Sequence, residues 1–355
     1  MNAKPPPKGD IRNLAFYHSR QLVDWMRLED VSFAFTSYQT GRLFLAGADE
    51  QNRLSLVQRA FTRAMGLYAD DQNLCVADLY QLWWFENGLG ANQTYQKSFD
   101  RLYIPRIGFT TGDLDIHDIG VDASGEPIFV NSLYSCVATV SPKASFKVLW
   151  RPPFITKLAA EDRCHLNGLA MKDGAPAYVT AVSKSDSVEG WRDHKRDGGI
   201  LMDVASGETV AANLSMPHSP RLLNEKLWLL NSGTGWLGTV DLKSGAFEPV
   251  TFCPGFLRGL DFYGKYAIVG TSLPRNIGFV GLELDDNLKA RDTAPRCAVL
   301  IIDTETGDIV HWLTFESHIT ELYDVAFLTG VRRPMHLGFQ TNEIRQFITM
   351  ESDLD

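Results

Sequence analysis

Between Met216 and Val250 the chain alternates short apolar runs with clusters of turn residues. A polar stretch (His218, Ser219, Pro220, Arg221) leads into a first strand, Asn224-Glu225 turns the chain, and the apolar run Leu227–Leu230 follows. A glycine-rich corner from Ser232 to Gly235 feeds Trp236–Leu242, and Lys243-Ser244-Gly245 turns the chain back into Phe247–Phe252. Four short strands separated by turn residues predict one small antiparallel sheet.

The same plan recurs along the chain. A small or acidic residue, two to four apolar residues, a polar turn and a strand rich in Val, Leu, Ile or aromatics begin at Gly66, Asp118, Gly168, Ser219, Gly259 and Asp324. Successive starts lie about 40–65 residues apart, within or somewhat beyond the length of a propeller blade. Such a sheet cannot bury both faces alone, whereas sheets packed around an axis cover each other and expose only short edges. Period-two alternation and dense glycine exclude a helical solenoid. The expected fold class is therefore all-β: a β-propeller of six or seven four-stranded blades around a central channel, forming one domain over residues 11–355. Val31–Tyr38, Thr40–Gly47 and Leu54–Phe61 predict three more strands, which either make a blade of their own or complete the last one. Ring closure by strands from both ends of the chain is expected, with the run Met335–Met350 at the closing end. Leu14, Leu22, Val23, Trp25 and Met26 predict a short helical lead-in over Ile11–Leu28, and the Pro- and Lys-rich residues 1–10 are expected to be disordered. Two stretches are too long for hairpin turns: the polar segment 183–199 around Trp191, and residues 273–296, which carry Pro274, Arg275 and Asn276 and then Asp285 and Asp286. Loops of this length often bind or cover ligands.

Composition narrows the function classes. With 45% hydrophobic and 22% charged residues among 355, the chain is that of a soluble globular protein. A net charge of −9 speaks against a nucleic-acid partner, because phosphate neutralisation needs a basic surface. Five scattered cysteines without a CxxC pair predict reduced thiols. The opening MNAKPPPKGD has no apolar core of a secretory signal, and no apolar run is long enough to span a membrane. A cytoplasmic location without membrane partners is expected. Phosphate-loop and nucleophile-elbow motifs are absent from the sequence.

Candidate chemistry follows from the blade geometry. The first strand of each blade lines the channel, so residues at blade starts converge near one end of the axis. Asp115 and His117 precede Asp118, His165 and Asn167 precede Gly168, and His218 precedes Ser219 and Arg221. Arg258 precedes Gly259, while Glu321 and Tyr323 precede Asp324. Three of the eight histidines thus fall at matched positions. Imidazole suits proton transfer near neutral pH or a divalent metal. His117, His165 and His218 are therefore expected as catalytic residues or as ligands of Zn, Fe or Mn, with Glu321 or Asp324 completing the set. Arg258 is expected to orient an anionic group. Asp115, Asn167, Arg221, Asn231, Trp191 and Tyr323 are expected substrate contacts. Each histidine has an alternative role, hydrogen-bonding the backbone of the adjacent blade. Arg258 has one as the ion-pair partner of Asp324, and Asp113, Asp115 and Asp118 as turn caps.

The blocks FTSYQTGRLFLAG, DLDIHDIGVD, RCHLNGLAMKDGAPAYVTAVSKSD, GWRDHKRDGG, SMPHSPRLLNEKLWLLNSGTGWLG, CPGFLRGLDF and TELYDVAFLTGVRRP together resemble a bacterial family of β-propeller proteins carrying a domain of unknown function, over nearly the whole chain. The resemblance implies the fold and no reaction. More loosely, the chain is similar to propellers of the gluconolactonase and strictosidine-synthase kind, which implies a central metal or carboxylate with Asn or His at blade starts. In that likeness Asn167, Asn231, Glu321 and Asp324 would play those parts. The wealth of histidine departs from an oxygen-only calcium site. The expected function is an enzyme acting on a small polar, anionic substrate in the channel, by hydrolase, lyase or isomerase chemistry. The alternative is a non-catalytic propeller that binds a protein, peptide or small ligand.

Overall fold

Six four-stranded sheets stand around one axis, and the chain visits them in order. The structure is a computed structural model that describes residues 14–274, 281–316, 318–339 and 342–350. The expectations for residues 1–10, and those for Arg275 and Asn276, lie outside the described residues. Blade one takes its inner strand, Val325–Thr329, from the C-terminal part of the chain and its other three, Val31–Ser37, Arg42–Ala48 and Leu54–Ala60, from the N-terminal part. Blade two holds Leu67–Ala69, Asn73–Ala77, Gln81–Asn87 and Arg101–Thr110. Blades three and four start with Ile116–Val121 and Leu166–Lys172, and blades five and six with Pro217–Leu223 and Phe256–Tyr263.

The strands form because each sheet is covered on both faces. All seven residues of Val31–Ser37 are buried, as are all six of Ala298–Asp303. One apolar cluster fills the seam between blades six and one, where Phe33, Phe35, Phe44, Val299, Phe315 and Phe327 meet. Phe35 and Phe44 stack there at 4.8 Å. Comparable clusters fill the other seams, for example Val130, Leu169 and Val179 between blades three and four.

The two ends of the chain depart from the expected arrangement. Val31–Ala60 does not make a seventh blade but completes the last one, and the closing strand is Val325–Thr329 rather than the Met335–Met350 run. Pro334–His336 instead lies parallel to Arg101–Thr110, as a fifth strand outside blade two. At the other end the lead-in is only partly helical. Ala15–His18 alternates in exposure and pairs antiparallel with Ile309–Glu316, outside blade six, and the helix is confined to Leu22–Leu28. The apolar residues Leu22, Trp25 and Met26 keep helical spacing and pack into the seam of blades six and one.

Inner strands leave free edges facing the axis, and buried backbone N–H groups need acceptors. Aspartates on the inner strands supply them across the seams. Asp118 Oδ2 accepts from Leu169 N at 3.0 Å, Asp324 Oδ2 from Leu67 N at 2.8 Å, and Asp261 Oδ2 from Phe327 N at 2.8 Å. Arg221 of blade five reaches past blade four to Asp118 of blade three with two bonds of 2.9 Å, and also donates to Leu169 O at 2.8 Å. The strands crowd here. A Cβ on Gly168 would lie 2.4 Å from Pro220 Cδ, and Gly259, at φ +74, lies against the Asp324 backbone.

Arg221→Met is expected to destabilise the fold by about 3–5 kcal/mol, because it strands a buried Asp118 carboxylate. The Asp118→Asn/Arg221→Met double variant should recover a large part of that loss in denaturant titrations. Equal stability of the single variant and the wild type would show that the pair holds nothing together.

Candidate functional site at the channel mouth

One end of the axis gathers the side chains that begin five of the six blades. His117, His165, His218 and Arg258 come from blades three to six, and Tyr323 stands two residues before the inner strand of blade one. All are at most 8% exposed. The His117 ring centre lies 4.7 Å from that of His165, 6.5 Å from His218 and 5.3 Å from Tyr323. The Arg258 guanidinium lies over the Tyr323 ring at 4.6 Å and near the Phe256 ring at 5.6 Å. The chain bends sharply to bring them together. Asp115, Asp162, His165 and Ser219 hold φ values of +54, +43, +50 and +47, a region that costs non-glycine residues energy and clusters at functional sites. Bulges in the first strands of blades four and five accompany these bends.

Each histidine is held through Nδ1. In His117 this atom lies 2.9 Å from Asp115 O and 2.7 Å from Ser132 Oγ. In His218 it lies 2.9 Å from Met216 O. In His165 it lies 2.9 Å from Asp162 Oδ2, which also accepts from Trp191 Nε1 at 2.8 Å. The Trp191 ring stacks on His165 at 4.1 Å, with Arg192 and Lys195 near the Trp191 ring at 4.7 and 5.7 Å. Backbone carbonyls accept, so His117 and His218 carry their proton on Nδ1 and present Nε2 as an acceptor. Asn167 Nδ2 donates to His218 Nε2 at 3.3 Å. Among the described residues, the Nε2 atoms of His117 and His165 have no hydrogen-bond partner in the protein.

Electrostatics separates the three. Burial lowers His117 to about 3, with His165 and Arg258 adding to the effect against the pull of Asp115. Burial, then Arg258 and His117, hold His218 well below the usual range. Burial raises the Asp162 carboxyl, but its contacts with His165, His117 and Trp191 outweigh this and leave it below the ordinary value. Asp162 and His165 therefore form a carboxylate–imidazole pair with Nε2 directed away from the carboxylate, an arrangement that can accept a proton.

Among the described residues no group of three His, Cys, Asp or Glu side chains is placed to hold a metal ion.

The other expected residues have contacts of their own. Arg221 and Asp324 sit among the inner-strand staples, and Arg258 forms no ion pair with Asp324 among the described residues. Asn231 Oδ1 accepts from Ser215 N at 2.7 Å in a blade-five corner, and the Glu321 carbonyl accepts from Ser37 Oγ at 2.8 Å. Asp115 lies beside His117 and 3.6 Å from Arg63. Sequence reasoning did not assign roles to Asp162, Ser132, Phe256 or Arg63. Asp162, three residues before His165, was open to detection by that spacing, whereas Ser132 and Arg63 arrive from other loops. Beyond the staples a cavity of about 230 Å³, with Tyr68, Met171, Arg221 and Asp261 in its wall, opens at the far end of the axis. All five cysteines are buried and unpaired, and burial lifts the Cys164 thiol to about 12, which removes it as a nucleophile.

Residues 20–337 match the family described as Domain of unknown function (DUF4915). The chain belongs to this family. No curated protein matches the DUF4915 chain. Among solved structures it is similar to a chain of the nidogen/laminin complex, at 14% identity and a TM-score of 0.51, covering 85% of this chain and 99% of that one. It is also similar to virginiamycin B lyase from Staphylococcus aureus, at 9% identity and a TM-score of 0.40, covering 67% and 73%. At such identity the likeness concerns the fold alone. No helix among the described residues of the DUF4915 chain is long and apolar enough to cross a membrane.

The two depressed imidazoles fix a pH dependence. Their folded pKa lies below the unfolded value near 6.5, so the unfolded state binds more protons in the window between the two values. Stability is full above about pH 6.5 and falls as the pH drops below it, down to about 3 for His117, by up to about 1.4 kcal/mol per pH unit. Thermal melts at pH 7.5 and 5.0 should show a drop that shrinks in the His117→Gln variant. An equal drop in both proteins would show that His117 is not the titrating group.

Proposed function

We propose that the channel mouth is an enzyme active site, in which the Asp162–His165 pair moves a proton on a small polar, anionic substrate. The observation that carries this reading is the meeting of an oriented carboxylate–imidazole pair with His117, Arg258 and Tyr323 in one buried cluster. Asp162 and Trp191 fix the His165 ring, and His165 Nε2 acts as the base. His117, held neutral, accepts a hydrogen bond from the substrate. Arg258 orients the anionic group. The segment 183–199, whose Trp191 lies against His165, closes one side. Proton transfer of this kind serves hydrolysis, elimination or isomerisation next to a carbonyl. A cytoplasmic location fits five unpaired thiols.

A second reading, a propeller that binds a ligand without turnover, is favoured by a specific observation. The Nδ1 atoms of His117 and His218 rest on backbone carbonyls, as in a purely structural role. The two readings separate on turnover. In a screen of small esters, lactones and carboxylic acids, His165→Asn is expected to lower kcat by about 10²–10⁴-fold while leaving the melting temperature within a few degrees of wild type. Ligand binding without turnover of any compound would remove the catalytic reading.

A further inference from the structure

Two polar atoms at the mouth lack a hydrogen bond among the described residues. Arg258 is 8% and Tyr323 5% exposed, and Arg258 Nη1 and Tyr323 Oη are the buried atoms without one. They share one place, because the guanidinium lies 4.6 Å from the centre of the Tyr323 ring. Buried donors without acceptors are rare and costly, and a guanidinium remains charged. Among the described residues the nearby carboxylates are engaged elsewhere. Asp113 and Asp115 face Arg63, Asp162 holds His165 and Trp191, and Asp118 holds Arg221. The missing component is an acceptor that brings its own negative charge.

The supply of donors decides which anion. One guanidinium N–H and one phenol O–H match the two oxygens of a carboxylate and its single charge. A phosphate carries three or more oxygens and close to two charges, and the neutral His117 and His218 beside Arg258 offer no second cation. This inference rests on the active-site reading above. We propose that Arg258 and Tyr323 form a carboxylate subsite, so that the substrate class is a small organic acid with one free carboxylate, held with the rest of the molecule toward His165.

The test uses the full chain with acetate and isobutyrate as probes, against inorganic phosphate and sulfate at matched ionic strength. Calorimetry and thermal melts should show saturable binding and stabilisation by the carboxylates and none by phosphate or sulfate. Tyr323→Phe and Arg258→Met should weaken acetate binding by about 10-fold or more. Neither should lower the ligand-free melting temperature by more than a few degrees, because each removes a buried donor that makes no hydrogen bond among the described residues, and Met keeps the apolar contact with the Tyr323 and Phe256 rings. A structural role predicts the opposite pattern, a lower melting temperature with unchanged acetate affinity, and that result overturns the subsite. Phosphate binding in place of acetate overturns the carboxylate assignment and leaves the active site standing. The His165→Asn variant separates the two claims: it should keep acetate affinity while losing turnover. Acetate binding through Arg258 and Tyr323 in a protein that turns over nothing upholds the subsite and removes only the enzymatic reading.

Discussion

A propeller depends on what meets the open inner edges of its blades. Neighbouring sheets bury each other's faces, but no strand lies beyond the inner one, and its amide groups point toward a narrow axis. Here side-chain carboxylates do the work of a missing strand. Asp118, Asp261 and Asp324 each cap an amide of the adjacent blade. Three carboxylates near one axis would repel one another, and Arg221 offsets this by gripping Asp118 across blade four. Burial and the nearby Asp118 push the Asp324 carboxyl well above its ordinary range against the pull of Arg221, and burial raises Asp261 as well, so these two are held toward their neutral forms.

The same constraint shapes the mouth. Once the inner strands are fixed below, the residues just before them have little freedom above, and the bends at Asp115, Asp162 and His165 result. The site stands on six rigid sheets, so its geometry needs no induced ordering of the ring. Its polarity is uneven by construction. Two imidazoles are desolvated and neutral, one imidazole rests on a carboxylate, and one guanidinium forms no ion pair among the described residues.

The blade starts were legible because crowding at the axis restricts them to glycine, serine or aspartate. Gly168 and Gly259 have no room for a Cβ, and Asp118 and Asp324 are needed as caps. The matched histidines were legible for the same reason, since the repeat places them in register. Ring closure was not. Val325–Thr329 and Met335–Met350 both carry strand-forming apolar residues, and which one pairs with Val31–Ser37 depends on the path of the chain rather than on local pattern. The strand at Ala15–His18 is only four residues long and precedes a true helix, so helical spacing hid it. The role of the histidines was hidden too. A matched position says that the rings meet, but which ring nitrogen is free depends on Asp162, Met216, Ser132 and Asn167, whose approach follows from bends that periodicity does not encode.

Blade one joins segments from opposite ends of the chain: Asp324 N donates to Thr36 Oγ1 across 288 residues of sequence. During synthesis its first three strands leave the ribosome early and wait, with the apolar edge of Val31–Ser37 uncovered, until nearly the whole chain has followed. Contacts of such sequence separation form slowly, and an uncovered strand edge invites pairing with other nascent chains. The middle blades can fold as they emerge, so the delay falls on a single seam. The mouth inherits that order, because Tyr323 reaches His117 and Arg258 only when the ring shuts. The mouth is therefore completed at the last step of folding, and a truncated product would carry five orderly blades and an open ring.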